Sequence, residues 1–267
     1  MSNSGIPLYD SLEENRYYLE MATGHKLTPK LEAVIMLRSH LDRLIDDWEY
    51  RPELGEDDRK WASIGPTGQI FALSMELTDD LAFVCDGYLK CIANHDKKLV
   101  EYIANASRED AVRFYDQISG DSDAALEAVG LDPSDSSDFD KSRYSSEFSY
   151  IREMRLRHWQ WYNGYKHGQY ATPMVVVPGG EPGLRRKWGL YLIPKRPLRD
   201  SSGMINLEGK TRFLETVWGV DQFVDLAQIA VCLWAEVRDR QYVKVFGHPP
   251  EPVDLTFLLK DVEPFRP

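Results

Sequence analysis

The sequence predicts a mainly α protein, a bundle of about five helices with a β-hairpin inserted between the fourth and the fifth. Three observations predict it. Apolar residues recur every three or four positions through several long windows, the spacing that gathers side chains on one helical face. Strands and helices do not alternate along the chain, as a doubly wound parallel sheet would need. The two short runs rich in strand formers follow one another directly, separated by a Pro/Gly turn sequence.

The first helix is predicted over 28–50: Thr28-Pro29 is a start signal, and Leu31, Val34, Ile35, Leu41, Leu44, Ile45 and Trp48 follow at helical spacing. After a polar loop from Arg51 to Gly65, Ile70, Leu73, Leu77, Leu81, Val84, Tyr88 and Cys91 define a longer second helix ending near Asn94. Shorter helical runs begin at Asp96 and after Ser107, where Ser107 and Asp110 have capping-box spacing, and together they read as a broken third helix. Residues 119–142 are Asp/Ser-rich, with seven acidic residues against one Lys, and read as a mobile acidic loop that only Leu126, Val129, Leu131 and Phe139 could anchor. A solvated linker is the plain reading of that loop, and a polyanion mimic the sharper one.

A fourth helix is predicted over 144–167 from Phe148, Ile151, Met154, His158, Trp161, Tyr162 and Tyr165, stopped by Gly168. Met174 to Val177 and Trp188 to Ile193 are the strand runs, and they place a β insertion at about 172–212. The fifth helix, over 216–246, carries Val220, Phe223, Val224, Ala227, Val231, Trp234 and Val237, and Gly247 and Pro249 end it. The whole chain, 1–267, reads as one helical domain.

Cys85, Cys91 and Cys232 are odd in number and have no C-x-x-C spacing, so they read as reduced core thiols. The six histidines form neither H-x-x-x-H nor H-E-x-x-H, which leaves His40 with Asp46 or Asp47 as an unremarkable metal candidate and predicts no metal and no cofactor. Gly65-Pro66-Thr67-Gly68 lacks the Lys-Ser/Thr ending of a P-loop and reads as a turn. The N-terminus has neither a basic region nor an apolar one after it, and the longest strongly apolar stretch, 226–237, is too short to span a bilayer. A cytoplasmic protein with no membrane attachment is the expectation.

The most informative feature is charge segregation. The net charge is -11, yet residues 152–199 hold ten basic residues (Arg152, Arg155, Arg157, Lys166, Arg185, Arg186, Lys187, Lys195, Arg196 and Arg199) against Glu153 and Glu181 only. That segment carries +8 and the rest of the chain -19. Aromatics are interleaved with the charge, among them Trp159, Trp161, Tyr162, Tyr165, Tyr170, Trp188 and Tyr191. Cations that neutralise phosphates beside rings that stack on unpaired bases are the pairing used for single-stranded nucleic acid. The candidate nucleic-acid contacts are therefore Arg152, Arg155, Trp159, Lys166, Arg185, Arg186, Lys187, Lys195 and Arg196. The competing account makes the aromatics core and pairs the arginines with the acidic remainder, or docks the patch on an acidic protein partner.

Within this segment Asn163 and His167 stand four apart at the end of the fourth helix, with Trp159 one turn below. An imidazole can move a proton near neutral pH. Lys166 and His167 also suit the negative end of a helix dipole, with Gly168 as a left-handed cap. A long helix ending in Asn163-x-x-Lys166-His167-Gly168, followed by an insertion and another long helix, resembles the HEPN superfamily of prokaryotic RNA-associated and defence proteins. The resemblance implies a helical bundle, often a homodimer, whose active members are metal-independent endoribonucleases with an R-x4-6-H motif. It would make His167 the general acid or base and Asn163 the polar residue inside the motif, both catalytic. At the arginine's positions this chain has Gln160, Trp161 and Tyr162, so binding of RNA or another phosphate-rich partner is expected ahead of cleavage.

Overall fold

A computed structural model describes residues 27–47, 49–93, 102–103, 105–166, 171–176, 187–192 and 220–249. The protein is mainly helical. Seven helices lie among the described residues: α1 (Thr28–Asp46), α2 (Glu56–Ala62), α3 (Ile64–Ala93), α4 (Arg108–Ile118), α5 (Ser122–Ala128), α6 (Asp138–Lys166) and α7 (Val220–Phe246). Two strands, β1 (Ala171–Val176) and β2 (Lys187–Leu192), lie between α6 and α7 and pair antiparallel, from Ala171 opposite Leu192 to Val176 opposite Lys187. Residues 177–186 between them, and the rest of 172–212, fall outside the described residues.

The chain divides into two compact units, one made of Met1–Glu32, Glu76–Met154 and Ala227–Pro267 and the other of Ala33–Met75 and Arg155–Leu226. In the first, the core holds Leu31, Leu77, Leu81, Phe114, Tyr115, Leu126, Phe148, Ile151 and Trp234, all essentially buried. Phe114 packs edge-on against Tyr115 and Phe148, with ring centroids 5.3 and 5.9 Å apart. The Tyr115 hydroxyl satisfies itself by donating to the Thr78 carbonyl at 2.6 Å, so a polar group enters the core without an unmet hydrogen bond. In the second unit, Phe71 of α3 is fully buried and meets His158 and Tyr162 of α6 and Phe223 of α7 edge to face, at 6.4, 6.3 and 4.9 Å.

Three boundaries differ from the sequence expectation, each for a local reason. α1 stops at Asp46 rather than at 50, because the Asp47 carboxylate accepts from the backbone N–H groups of Glu49 and Tyr50 and turns the chain. The expected polar loop before α3 contains α2, tied down by Arg59, whose guanidinium donates to the carbonyls of Leu54 (3.1 Å) and Arg51 (2.9 Å). α6 begins six residues earlier than expected, because Ser137 and Asp140 form a reciprocal capping box: Ser137 Oγ accepts from the Asp140 N–H, and Asp140 accepts from Ser137.

The acidic segment 119–142 is corrected most. It contains α5, capped by Asp121, whose carboxylate accepts from the N–H groups of Asp123 and Ala124. Ala125, Leu126, Ala128 and Val129 are buried, whereas Phe139, expected as an anchor, is exposed. The helix closes in a Schellman motif: Gly130 donates to Glu127 O and Leu131 to Leu126 O, both at 2.9 Å, with Gly130 at φ +81°. A Cβ on Gly130 would also sit 3.2 Å from Gln241 Nε2, whereas one on Gly120 (φ +88°) would meet open space. Gly120→Ala is therefore expected to cost about 1 kcal/mol for left-handed backbone alone, and Gly130→Ala measurably more. Parallel thermal melts check it, and equal costs would count against the close packing of Gly130.

Candidate nucleic-acid interface

α6 carries most of the candidate contacts that the structure describes. Its apolar positions fall every three or four residues, so Tyr144, Phe148, Ile151 and Met154, then His158 and Tyr162, turn inward, and Glu153, Leu156, Arg157 and Lys166 are left outside. Asn163 is half-buried.

The candidate cations separate into different environments. Arg152 is half-exposed, and its Nε donates to Asp116 Oδ1 at 2.7 Å. Such a pair in water contributes about 0.2 to 1 kcal/mol, little enough for a phosphate to displace the carboxylate. Arg155 is only 4% exposed, with its guanidinium carbon 5.5 Å from the centre of the Trp159 ring, one turn along. The expectation that Arg155 lies on the binding surface is corrected by this burial, because residue 155 belongs to the inward stripe of α6. Lys166 is exposed, with Nζ 5.7 Å from the Tyr162 ring centre. Arg157, next along from the exposed Leu156, is also exposed and adds a cation to the accessible face.

Trp159 is half-buried and inclined to Tyr162, with centroids 5.7 Å apart at 52°. With Arg155 over its ring, part of its π-face already has a cation on it, which narrows what a base could stack against. His158 is fully buried among Phe71 and Phe223. Burial, helped by the positive charge of Arg157, lowers its pKa to about 4, so the ring is neutral at physiological pH. It is a core residue, as its helical spacing predicts.

His167, Arg185, Arg186, Lys195 and Arg196 lie outside the described residues, and Lys187 is placed only as the first residue of β2, opposite Val176. Of the candidates on α6, the structure leaves Arg152 of the first unit, and Arg157, Asn163 and Lys166 of the second, at least partly accessible, and removes Arg155 from the accessible set.

Sequence reasoning missed two polar clusters. In one, Arg143 donates to Glu147 (3.1 Å) and Glu236 (2.5 Å), the Tyr144 hydroxyl donates to Glu236, and Arg240 donates to Tyr144 (2.6 Å), Glu236 (2.9 Å) and the Val129 carbonyl (3.1 Å). Burial raises the pKa of Glu147, partly offset by Arg143. The i,i+4 pairs Arg143/Glu147 and Glu236/Arg240 are visible in the sequence, but their meeting across 93 residues is not. In the other, Lys90 donates to Asp86 (2.7 Å) and to the Tyr102 hydroxyl (2.8 Å), which itself donates to Asp86. Burial and Asp86 raise the Tyr102 pKa, which unsuits it as a base.

His40, the metal candidate, instead places Nδ1 3.1 Å from the Tyr50 hydroxyl. Among the described residues no group of three or more His, Cys, Asp or Glu could hold a metal ion, and no helix is long and apolar enough to cross a membrane. Cys85 is buried, Cys232 half-buried, and both are free thiols. Comparisons of the chain with family models, with curated proteins and with solved structures find no match, so its functional reading rests on its own residues.

Proposed function

We propose that this chain is a HEPN-like cytoplasmic protein, a homodimer in a prokaryotic defence setting, that binds single-stranded RNA through residues 152–199. The observation that carries the reading is the segregation of charge: +8 in that segment against -19 in the remainder, in a chain whose total would repel a polyanion. On the described part of the second unit, Arg157 and Lys166 are exposed, and in the first unit Arg152 is held by an exchangeable carboxylate. The remaining cations belong to the insertion between α6 and α7, where Lys187 opens β2. Asn163 would contact the RNA, and His167 would serve as a phosphate contact at the helix end. The resemblance to HEPN proteins adds the substrate class.

The test is binding of a fluorescent oligouridylate over a range of salt concentrations. Replacing Arg185, Arg186 and Lys187 together by Ala is expected to weaken binding and reduce the slope of log affinity against log salt by about 0.7 for each phosphate that the variant no longer neutralises. An unchanged slope in a folded triple variant would remove the reading. Run in EDTA, the same mixture reports on cleavage. Intact RNA is the expected product, since Gln160, Trp161 and Tyr162 stand where the arginine of R-x4-6-H would be; cyclic-phosphate ends that disappear in His167→Ala would make the chain a metal-independent endoribonuclease.

A further inference from the structure

Within the first unit, the seam where α6 meets α7 holds two carboxylates that share one guanidinium and are served unequally. Arg143 lies between them, with Nε on Glu147 Oε1 at 3.1 Å and Nη2 on Glu236 Oε1 at 2.5 Å. On its other oxygen Glu236 accepts from the Tyr144 hydroxyl and from Arg240 Nη2 at 2.9 Å. Three side chains thus donate to Glu236, whereas Arg143 alone donates to Glu147 among the described residues.

The second oxygen of Glu147, Oε2, is buried and has no hydrogen-bond partner among the described residues. An oxygen in that position has given up water without gaining a donor, and the cost is larger for an ionised carboxylate than for a neutral acid. The surrounding charges do not make up the difference. Arg143 faces Glu147 from its own helix, and Glu236 and the half-buried Cys232 face it from α7. Tyr144 and Arg240 stand on Glu236; Asp140 lies within electrostatic reach of both arginines and Asp239 within reach of Arg240. α5 enters with the Val129 carbonyl, which Arg240 holds at 3.1 Å. Two like charges bridged by one cation are relieved when one of them is neutral, and the carboxylate with fewer donors is the one to become so. Burial does raise the pKa of Glu147 above its ordinary value; Arg143 offsets part of the rise, and Glu236 adds to it.

We infer that Glu147 takes up a proton when α6 closes on α7, which makes this seam a pH-sensitive latch: matched while Glu147 is neutral, and worked open by its buried charge as it ionises. The folded chain holds this proton more tightly than the unfolded chain does. Its stabilising contribution is therefore complete at low pH and is lost as pH rises through the folded-state titration. His158, in the other unit, contributes with the opposite sign.

Urea midpoints of the full chain and of Glu147→Gln, followed from about pH 8 down to about pH 4, test the latch. The amide has the shape of the neutral acid and cannot ionise. Glu147→Gln is expected to have the higher midpoint at about pH 8 and to converge with wild type towards about pH 4, because the other titrating groups act on both chains alike. Glu236→Gln, which deprives three donors of their charged acceptor, is expected to have the lower midpoint throughout. Opening is read by hydrogen exchange: between about pH 5 and about pH 8, amides of 144–151 and 232–240 should lose protection in wild type and keep more of it in Glu147→Gln. In the wild type, the Glu147 carboxyl carbon followed by NMR should titrate at higher pH than those of exposed glutamates. A Glu147→Gln variant less stable than wild type at the upper pH, or displaced from it equally at both ends, would overturn the latch, as would protection that changes alike in the two chains. Should the variant not fold, a Glu147 carboxyl that titrates together with the exposed glutamates would overturn it instead.

Discussion

Phe71→Ala is expected to lower the stability of the protein by about 3 to 5 kcal/mol, the range for removing a buried phenyl ring from a core that relaxes only in part. Phe71 is fully buried and is the shared neighbour of His158, Tyr162 and Phe223, so its loss leaves a cavity in contact with three elements of one unit. Against a total stability of about 5 to 15 kcal/mol, that is enough to make the fold marginal. The measurement is a urea titration: the midpoint should fall while the slope stays near the wild-type value, since the surface exposed on unfolding is almost the same. A change under about 1 kcal/mol would mean that the ring cluster is not what holds this unit. Where the variant remains folded, RNA affinity should fall with it, because Tyr162 sits one residue before Asn163 and four before Lys166 and fixes the last turns of α6.

The second large effect is a pH dependence carried by His158. Its folded pKa is lowered from about 6.5 to about 4, chiefly by burial and secondarily by Arg157. The unfolded chain therefore binds this proton more readily than the folded one. The stabilising contribution is fully present above about pH 6.5 and is lost as pH falls towards 4, amounting to about 3 kcal/mol over that window. Other groups titrate there too: burial raises the pKa of Glu147, Asp225 and Asp239, and their contribution runs the opposite way as pH falls. The comparison that isolates the histidine is wild type against His158→Phe, an aromatic replacement among the Phe71 and Phe223 rings. Stability of the variant, followed by urea midpoint from about pH 7 to about pH 4, should fall less steeply than that of wild type. Parallel curves would show that His158 takes up its proton without cost.

The long helices were legible because their stabilising interaction is local in sequence. In α3, α6 and α7 the inward residues repeat every three or four positions, and burial of that stripe is what the sequence pattern encodes. α2 and α5 were illegible for the converse reason: at seven residues each they are too short for a periodic stripe and are fixed by single contacts, the Arg59 guanidinium on two loop carbonyls and the Asp121 cap. Composition misled at 119–142, where Asp and Ser were read as solvated chain and serve instead as helix caps and turn acceptors. At the candidate interface the cations were legible as a group but not individually. Arg152 and Arg155 are three residues apart with the same chemistry, and only the phase of the buried stripe sends one outward to Asp116 and the other inward beneath Trp159.

Each compact unit is assembled from separated stretches of chain, one from three and the other from two. During synthesis, the stretch that completes the first unit, from 227 onward, leaves the ribosome after the rest of that unit, and Arg143 waits 93 residues for Glu236. The second unit closes Arg38 on Asp221 across 183 residues. A nascent chain stopped at residue 154 would carry the apolar faces of α3, α4 and α6 without the α7 side chains Val231, Trp234 and Val237 that share their core. Closure of each unit therefore waits for its last stretch of chain, with the slow closure expected of distant partners and a period of exposed apolar surface in which a chaperone has something to hold.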